Sequence, residues 1–253
     1  MTMHPDWLRP AWPVDDVGAV MTTRLGGISA APFDSLNLRA GTGDQPFAVA
    51  HNQQVVAQAL GVTPVWLDQV HGTAVVHLTG ADADARAPGH RADAAVTTEP
   101  GIACAVQVAD CLPVLFAAPG GRAVGAAHAG WRGLAAGVLE ATLAKVAQAG
   151  RCEAGDVRVW LGACIGPARF EVGPDVLDAF GAAGAGRFVA KSAGKWLADL
   201  PGLARDRLLA AGVRAIDGGT WCTVSEPSRF FSFRRDRVTG RMAALIWINR
   251  RVV

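Results

Sequence analysis

The chain has 253 residues, 51% of them apolar, and carries 24 Lys and Arg against 22 Asp and Glu for a formal charge of +2. That apolar fraction suffices for a full core, which excludes a disordered chain, and the near-neutral balance gives no electrostatic reason to expect nucleic acid or an anionic membrane as partner. The most apolar stretch, Ile102 to Ala118, is interrupted by Gln107, Asp110 and Pro113, which excludes a transmembrane helix there; the N-terminal segment, with Asp6, Arg9, Asp15 and Asp16, lacks the apolar core of a secretory signal, so a cytoplasmic location is expected.

In chain order, a β-like run at Gly18 to Thr22 is followed by a helix over Pro46 to Leu60, closed by Gly61. Strand-like runs at Val65 to Val70 and Ala74 to Leu78 lead into a loop from Thr79 to Arg91. Four more runs follow, at Ala94 to Thr97, Ile102 to Val108, Val114 to Ala117 and Ala123 to Ala127, and then a helix over Leu134 to Ala149 with Gly150 as its stop. The remainder reads as a strand at Val157 to Leu161, a helix at Pro174 to Phe180, a loop from Gly181 to Lys195, a helix over roughly Leu197 to Ala211 closed by Gly212, and a strand at Ala243 to Ile248. The Gly-Ala-Ala-Gly-Ala-Gly opening of that second loop runs into no convincing helix start, so it is read as a surface loop rather than a phosphate cradle. Strands and helices intermix without strict alternation, and no repeat or composition shift divides the chain. The expected fold class is therefore mixed α/β (α+β), as one domain over residues 1–253.

Five cysteines, at 104, 111, 152, 164 and 222, are odd in number and widely spaced, and are read as reduced thiols. No C-x-x-C, H-E-x-x-H, G-x-S-x-G or phosphate-loop pattern occurs, so any site must be assembled from distant segments. Three β-like runs end with a metal-ligand type followed by a chain breaker: Gln69-Val70-His71-Gly72, Ala109-Asp110-Cys111-Leu112-Pro113 and Ala127-His128-Ala129-Gly130-Trp131-Arg132-Gly133. Two imidazoles and one thiolate suit a tetrahedral Zn²⁺ with its fourth position open, as in catalytic sites. Spacing does not force the three to converge, and each could equally be a satisfied core residue. The charges of Asp110 and Arg132 beside two of them favour a site, because a strand core excludes such groups.

The chain resembles the family described as polyphenol oxidase or laccase-domain proteins, later reassigned as purine nucleoside phosphorylases and in bacteria also called peptidoglycan editing factors. The resemblance runs from Met21-Thr22-Thr23-Arg24-Leu25-Gly26-Gly27-Ile28-Ser29 and Pro32-Phe33-Asp34-Ser35-Leu36-Asn37-Leu38 through the three ligand segments. It continues through Leu161-Gly162-Ala163-Cys164-Ile165-Gly166-Pro167 and Phe170-Glu171-Val172-Gly173 to Phe230-Phe231-Ser232-Phe233-Arg234-Arg235 and Thr239-Gly240-Arg241. It departs from the family pattern at Ala163-Cys164 and at Phe233, where Tyr is frequent. The resemblance implies layered β-sheets flanked by helices in a YfiH-like domain, and a zinc ion on His71, Cys111 and His128. It also implies phosphorolysis of adenosine, inosine, guanosine and methylthioadenosine, together with adenosine deamination.

Beside the ligands, Arg24 and Arg132 offer forked donors to phosphate, ribose or base, with Arg132 opening the helix after His128. Arg234, next to Arg235, could cover a nucleobase, and Asn37 and Gln69 could read a purine edge. Each has a structural alternative, a surface ion pair for the arginines and a satisfied backbone group for the amides. Asp93 and Asp110 are the acidic candidates for orienting a ligand imidazole or moving a proton, with turn capping as the alternative for Asp93. Cys164 and Cys222 read as core residues and Trp131 as a packing wedge. The leading expectation is a zinc-dependent enzyme with small-molecule partners, purine nucleosides and phosphate. Its rivals are an amide hydrolase that edits peptidoglycan precursors, a copper-dependent polyphenol oxidoreductase using Cu²⁺ at the same residues, and a metal-stabilised binding protein. With six His and no His-x-His pair, a multicopper cluster is hard to furnish.

Overall fold

The long apolar run centred on Ile102–Val108 has no polar face because both of its faces are covered. In the computed structural model, which describes residues 2–12, 14, 16–84 and 89–250, every residue of this strand is buried. The centre of the expected Thr79 to Arg91 loop, residues 85–88, lies outside the described residues.

The elements in chain order are β1 (Val17–Met21), α1 (Pro46–Leu60), β2 (Thr63–Val65), β3 (Val75–Leu78), β4 (Ala94–Thr97), β5 (Ile102–Val108), β6 (Leu112–Ala117) and β7 (Val124–Ala129). They continue with α2 (Trp131–Ala136), α3 (Val138–Gly150), β8 (Arg158–Leu161), β9 (Glu171–Val172), α4 (Pro174–Gly184), β10 (Phe188–Ser192), β11 (Lys195–Ala198), α5 (Leu200–Ala210), β12 (Ala215–Gly218), α6 (Phe233–Asp236) and β13 (Met242–Ile248). A four-stranded sheet has the order β1-β13-β5-β2 and a six-stranded sheet the order β12-β8-β6-β7-β4-β3. Both are mixed: β2 runs parallel to β5, β3 to β4 and β12 to β8, and the other pairs are antiparallel.

The two sheets pack face to face. Val106 and Val108 of β5 and Ala244 and Ile246 of β13 meet Leu115 of β6 and Ala126 of β7. Side chains alternate across a strand, so the opposite face of the smaller sheet, with Ala105 and Leu245, rests with Val56 of α1 in a second cluster. On the far side of the larger sheet, Val114 and Phe116 pack with Leu139, Leu143 and Val146 of α3 and Leu208 of α5. The outcome is a helix, sheet, sheet, helix layering, the mixed α/β class expected, and among the described residues no helix is long and apolar enough to cross a membrane.

Four expectations are corrected. The helix placed over Leu134 to Ala149 is two helices, because Gly137 takes a left-handed φ of 100° and its N–H caps the carbonyls of Gly133 and Leu134. Gly150 still belongs to α3, and Arg151 supplies the left-handed stop. The stretch from Gly181 to Lys195 is not one loop: α4 runs to Gly184, and β10 pairs with β11 in an exposed hairpin that also engages β9 through Trp196 and Leu197. The hairpin buries little side chain, so its sequence carries no apolar alternation to mark it. Leu197 and Ala198 therefore belong to a strand, and α5 begins at Leu200 behind Asp199, whose side chain accepts the Gly202 N–H. Finally, the strand expected to reach Val70 stops at Val65, with consequences for His71.

Candidate metal centre and its flanking cavities

Three connections converge at one end of the larger sheet. Cys111 sits in the tight link between β5 and β6, immediately after Asp110, whose φ is 90°. His128 is the penultimate residue of β7 and is buried, with 3% of its surface exposed. His71 is not at a strand end. It lies in an irregular segment and holds a left-handed φ of 61°, an uncommon conformation for a side-chain-bearing residue.

Asp93 holds that segment in place. Its wholly buried carboxylate accepts the N–H groups of Val70 at 3.1 Å, His71 at 2.9 Å and Gly72 at 2.7 Å, and also His128 Nδ1 at 2.8 Å. Asp93 thus serves the N–H groups of residues 70–72 in place of a neighbouring strand, while Leu67 and Asp68 pair with His90. Burial would raise the Asp93 carboxyl, but the hydrogen bonds from His128, Gly72 and Val70 outweigh it and hold the group below the usual carboxylate range. Binding His128 through Nδ1 leaves its Nε2 for a ligand, the carboxylate–histidine pairing common at metal sites.

The ligand atoms of His71, Cys111 and His128 all lie within 4.8 Å of one another. Cys111 Sγ is 3.9 Å from His71 Nε2, against about 3.5 Å between sulfur and nitrogen on a tetrahedral zinc, so a small inward shift closes the set. Burial would raise the Cys111 thiol, but His128 and His71 beside it bring it down; burial would lower His128, and Cys111 and Asp93 drive it up. The metal-free triad is thus already disposed toward thiolate, the form that ligates. Gly130 completes the cradle: a Cβ there would stand 2.9 Å from His71 Cδ2 and 3.0 Å from Cys111 Sγ. This is the one group of three or more potential metal ligands among the described residues, and it can hold a metal ion.

Two cavities flank the triad and share His71, Ala109, Cys111 and Phe233. The first, about 300 Å³, carries Arg39, Arg241, Gln69, Gln107 and His128. Gln69 is fixed by two bonds to the Gln107 backbone, and Gln107 Nε2 donates to Leu38 O. Burial and the Arg39 charge lower the Arg241 guanidinium from its ordinary range. The second cavity, about 240 Å³, is lined by Trp131, Phe170 and Ile165 with Arg132, Arg234 and Asp110. Arg132 lies 4.4 Å over the Trp131 ring, and Arg234 lies 5.4 Å over Phe170 while donating to Glu171 O. A larger cavity of about 460 Å³ between α3, α4 and α5 is remote from the triad, and its charged groups are paired, Arg207 with Glu140 and Asp206 with Arg187.

Of the candidates from sequence, Gln69, Arg132 and Arg234 line these cavities, and Asp93 orients His128. Two others do not reach the triad's cavities. Arg24 is a structural clamp, bound to Asp34 through backbone and carboxylate and to Pro227 O, with its guanidinium over Phe231. Asn37 is buried and spends its amide on Arg39 O, Thr42 and Asp44 and on the N–H groups of Arg39 and Arg241. Asp110 acts on the frame as well: it accepts the Thr223 hydroxyl and the Arg234 N–H, tying the Cys111 link to α6. Arg235 is turned inward onto Thr223 O, Val224 O and Phe230 O. The residues sequence reasoning passed over are Arg39, Arg241 and Gln107. Arg241 stood within the Thr-Gly-Arg segment of the family resemblance, which was the available signal.

Fold and site together define a mixed α/β protein with a two-histidine, one-cysteine group that could hold a metal ion, flanked by two cavities. The family model described as multi-copper polyphenol oxidoreductase laccase matches residues 18–249, and the chain belongs to that family. It is 50% identical over 250 residues to a purine nucleoside phosphorylase of Pseudomonas aeruginosa, covering 96% of this chain and 98% of that one. It is 48% identical over 244 residues to the purine nucleoside phosphorylase YfiH of Escherichia coli, covering 94% and 97%. Among solved structures, a Neisseria meningitidis protein of family DUF152 superposes with a TM-score of 0.90 at 45% identity, over 97% of this chain and 100% of that one. YlmD from Geobacillus stearothermophilus superposes with a TM-score of 0.91 at 34% identity, over 99% and 98%.

Proposed function

We propose that this protein is a zinc-dependent purine nucleoside phosphorylase acting on adenosine, inosine, guanosine and methylthioadenosine, with adenosine deamination as a second activity. The observation that carries the reading is the placement of the triad between two cavities that each hold two arginines, one with no carboxylate residue in its lining and the other lined by Trp131 and Phe170. Phosphorolysis brings a dianion and a nucleoside to a common point, and the relatives named above as purine nucleoside phosphorylases share nearly the whole chain. The donor set, two imidazoles and a thiolate with no fourth protein ligand among the described residues, suits catalytic zinc. Bound there, the ion would supply a Lewis acid beside the reacting centre.

In the reaction, an oxygen of hydrogenphosphate bonds to C1′ of the ribose while the C1′–N9 bond breaks and its electron pair passes to the purine. The proton given up by hydrogenphosphate ends on a purine nitrogen, yielding free base and ribose 1-phosphate. The protein's own contribution is position and charge: guanidinium groups hold the anion, aromatic rings hold the base, and Asp93 fixes His128. Among the described residues one group of potential metal ligands does not provide the several sites of a multicopper oxidase, which leaves a single Cu²⁺ on the same three residues as the alternative metal.

The test follows products by mass with zinc-replete protein. Adenosine should yield adenine and ribose 1-phosphate only when phosphate is present, and any inosine formed without phosphate reports the deaminase activity. If no purine nucleoside is converted with or without phosphate, the reading fails, and an amide hydrolase editing peptidoglycan precursors takes its place.

A further inference from the structure

We infer that the phosphate subsite is built by Arg39 and Arg241, and that the cavity of Trp131, Phe170 and Phe233 receives the purine. This rests on the phosphorylase reading and goes beyond it, because the family resemblance places no residue on the phosphate and the arginines first suggested by the sequence were Arg24 and Arg132.

Two like charges line one partly buried cavity. Among the described residues the Arg39 guanidinium makes no hydrogen bond or ion pair, and Arg241 donates only from Nη1, to the carbonyls of Thr239 and Gly240. No carboxylate lines that cavity. Other half-buried guanidiniums meet carboxylates, Arg187 at Asp199 and Asp206, Arg207 at Glu140 and Arg229 at Glu226, or spend both Nη groups on carbonyls, as Arg205 does on Ile216 and Gly218. Mutually repelling guanidiniums in a partly desolvated place are favoured when an anion joins them, and a tetrahedral oxyanion matches their planar forks.

The neighbouring cavity is the wrong place for that anion. Its lining includes the acidic residue Asp110, and its two arginines already stack, Arg132 on Trp131 and Arg234 on Phe170. Flat apolar faces edged by stacked guanidiniums suit a purine ring. The short α2, six residues long, offers little dipole to attract an anion to Arg132. His71, Cys111 and Phe233 border both cavities, which puts the ribose between them, with its C1′ reachable from the phosphate side.

The experiment titrates zinc-loaded wild type, Arg39→Met, Arg241→Met, Arg241→Lys, Arg132→Met and Arg234→Met with inorganic phosphate and separately with inosine, by calorimetry. The expected result is a loss of phosphate affinity of about tenfold to a hundredfold in Arg39→Met and Arg241→Met, the scale of one charge-assisted contact, with inosine affinity unchanged. Arg241→Lys should recover part of the loss, and Arg132→Met and Arg234→Met should weaken inosine alone. The Arg39 side chain takes no part in the hydrogen bonding of the fold, so its variant keeps the test decisive if Arg241→Met fails to fold. Wild-type phosphate affinity in both Arg39→Met and Arg241→Met overturns the assignment and leaves the phosphorylase reading standing. Phosphate binding that depends on Arg39 and Arg241 in a protein that cleaves no nucleoside does the reverse. Absence of phosphate binding by the wild type, with or without inosine, overturns both.

Discussion

Removing the Asp93 carboxylate should weaken the protein and its metal centre together, by separable amounts. Asp93→Ala strands four donors, the N–H groups of Val70, His71 and Gly72 and the Nδ1 of His128. The three backbone donors sit on a segment that reaches solvent and can regain water, at about 0.5–1 kcal/mol each, whereas His128 is buried and loses about 2 kcal/mol, giving about 3.5–5 kcal/mol in all. For a chain of this size that lowers the melting temperature by about 7–20 °C. Asp93→Asn keeps the shape but turns an NH₂ toward one of the two donor pairs, so it should fall between Ala and wild type. Melting is measured on chelated protein, so that metal linkage does not enter. Zinc affinity, read by competition with a chromophoric chelator, should fall about 10–100-fold because His128 loses its orienting partner and the His71 segment its anchor. If Asp93→Ala melts like wild type and binds zinc equally well, Asp93 does not organise His128 and the His71 segment.

Metal analysis of purified protein should give about one zinc per chain, since three protein ligands with an open position match a catalytic site. His71→Ala, Cys111→Ala and His128→Ala should each lose zinc and turnover while retaining the far-ultraviolet circular dichroism of wild type, because the sheets pack without the ion; a variant that keeps both zinc and activity removes that residue from the ligand set. Gly130→Ala, whose methyl would press on His71 and Cys111, should lose zinc affinity with a smaller change in melting temperature than Asp93→Ala, and unaltered affinity would show that the cradle gives way. Arg235→Ala should cost about 1–3 kcal/mol by leaving the carbonyls of Thr223, Val224 and Phe230 without their donor, and its nucleoside KM should stay at the wild-type value, which separates it from Arg234.

The sandwich and its covering helices were legible where local signals agreed with the packing. Pro46–Leu60, Ala94–Thr97 and Ile102–Val108 have the observed limits because a proline start, a left-handed Gly61 stop or an unbroken apolar run states the same answer as the tertiary structure. The break at Gly137 was not legible, because a single glycine is tolerated inside a helix, and only the packing of α2 beside the His71 segment decides for the break. That closeness is measurable: a Cβ on Gly133 would meet the Gly72 carbonyl at 2.8 Å. The exposed β10–β11 hairpin was invisible because main-chain pairing, which any sequence can make, holds it more than side-chain burial does.

The convergence of His71, Cys111 and His128 was legible through the family resemblance, whereas the charges around them were not, for a physical reason. Spacing alone left each of the three as a possible core residue, and the resemblance is what joined them. An anion subsite is defined by what an arginine lacks, and a missing carboxylate partner is a property of the folded neighbourhood. Arg24 looked suitable in its Gly-rich turn, yet Asp34 and Pro227 occupy it. Arg241 looked ordinary, yet it closes the loop from α6 to β13 and faces the same cavity as Arg39, from a segment about two hundred positions distant. Asn37 links these two outcomes: proposed as a reader of the purine, it instead accepts the N–H of Arg39 and that of Arg241 on its Oδ1, at 3.1 and 2.9 Å, so one buried amide sets the two guanidinium-bearing backbones side by side. Its contribution to phosphate binding is then indirect, and Asn37→Ala should weaken phosphate binding together with stability, whereas Arg39→Met should weaken phosphate binding alone.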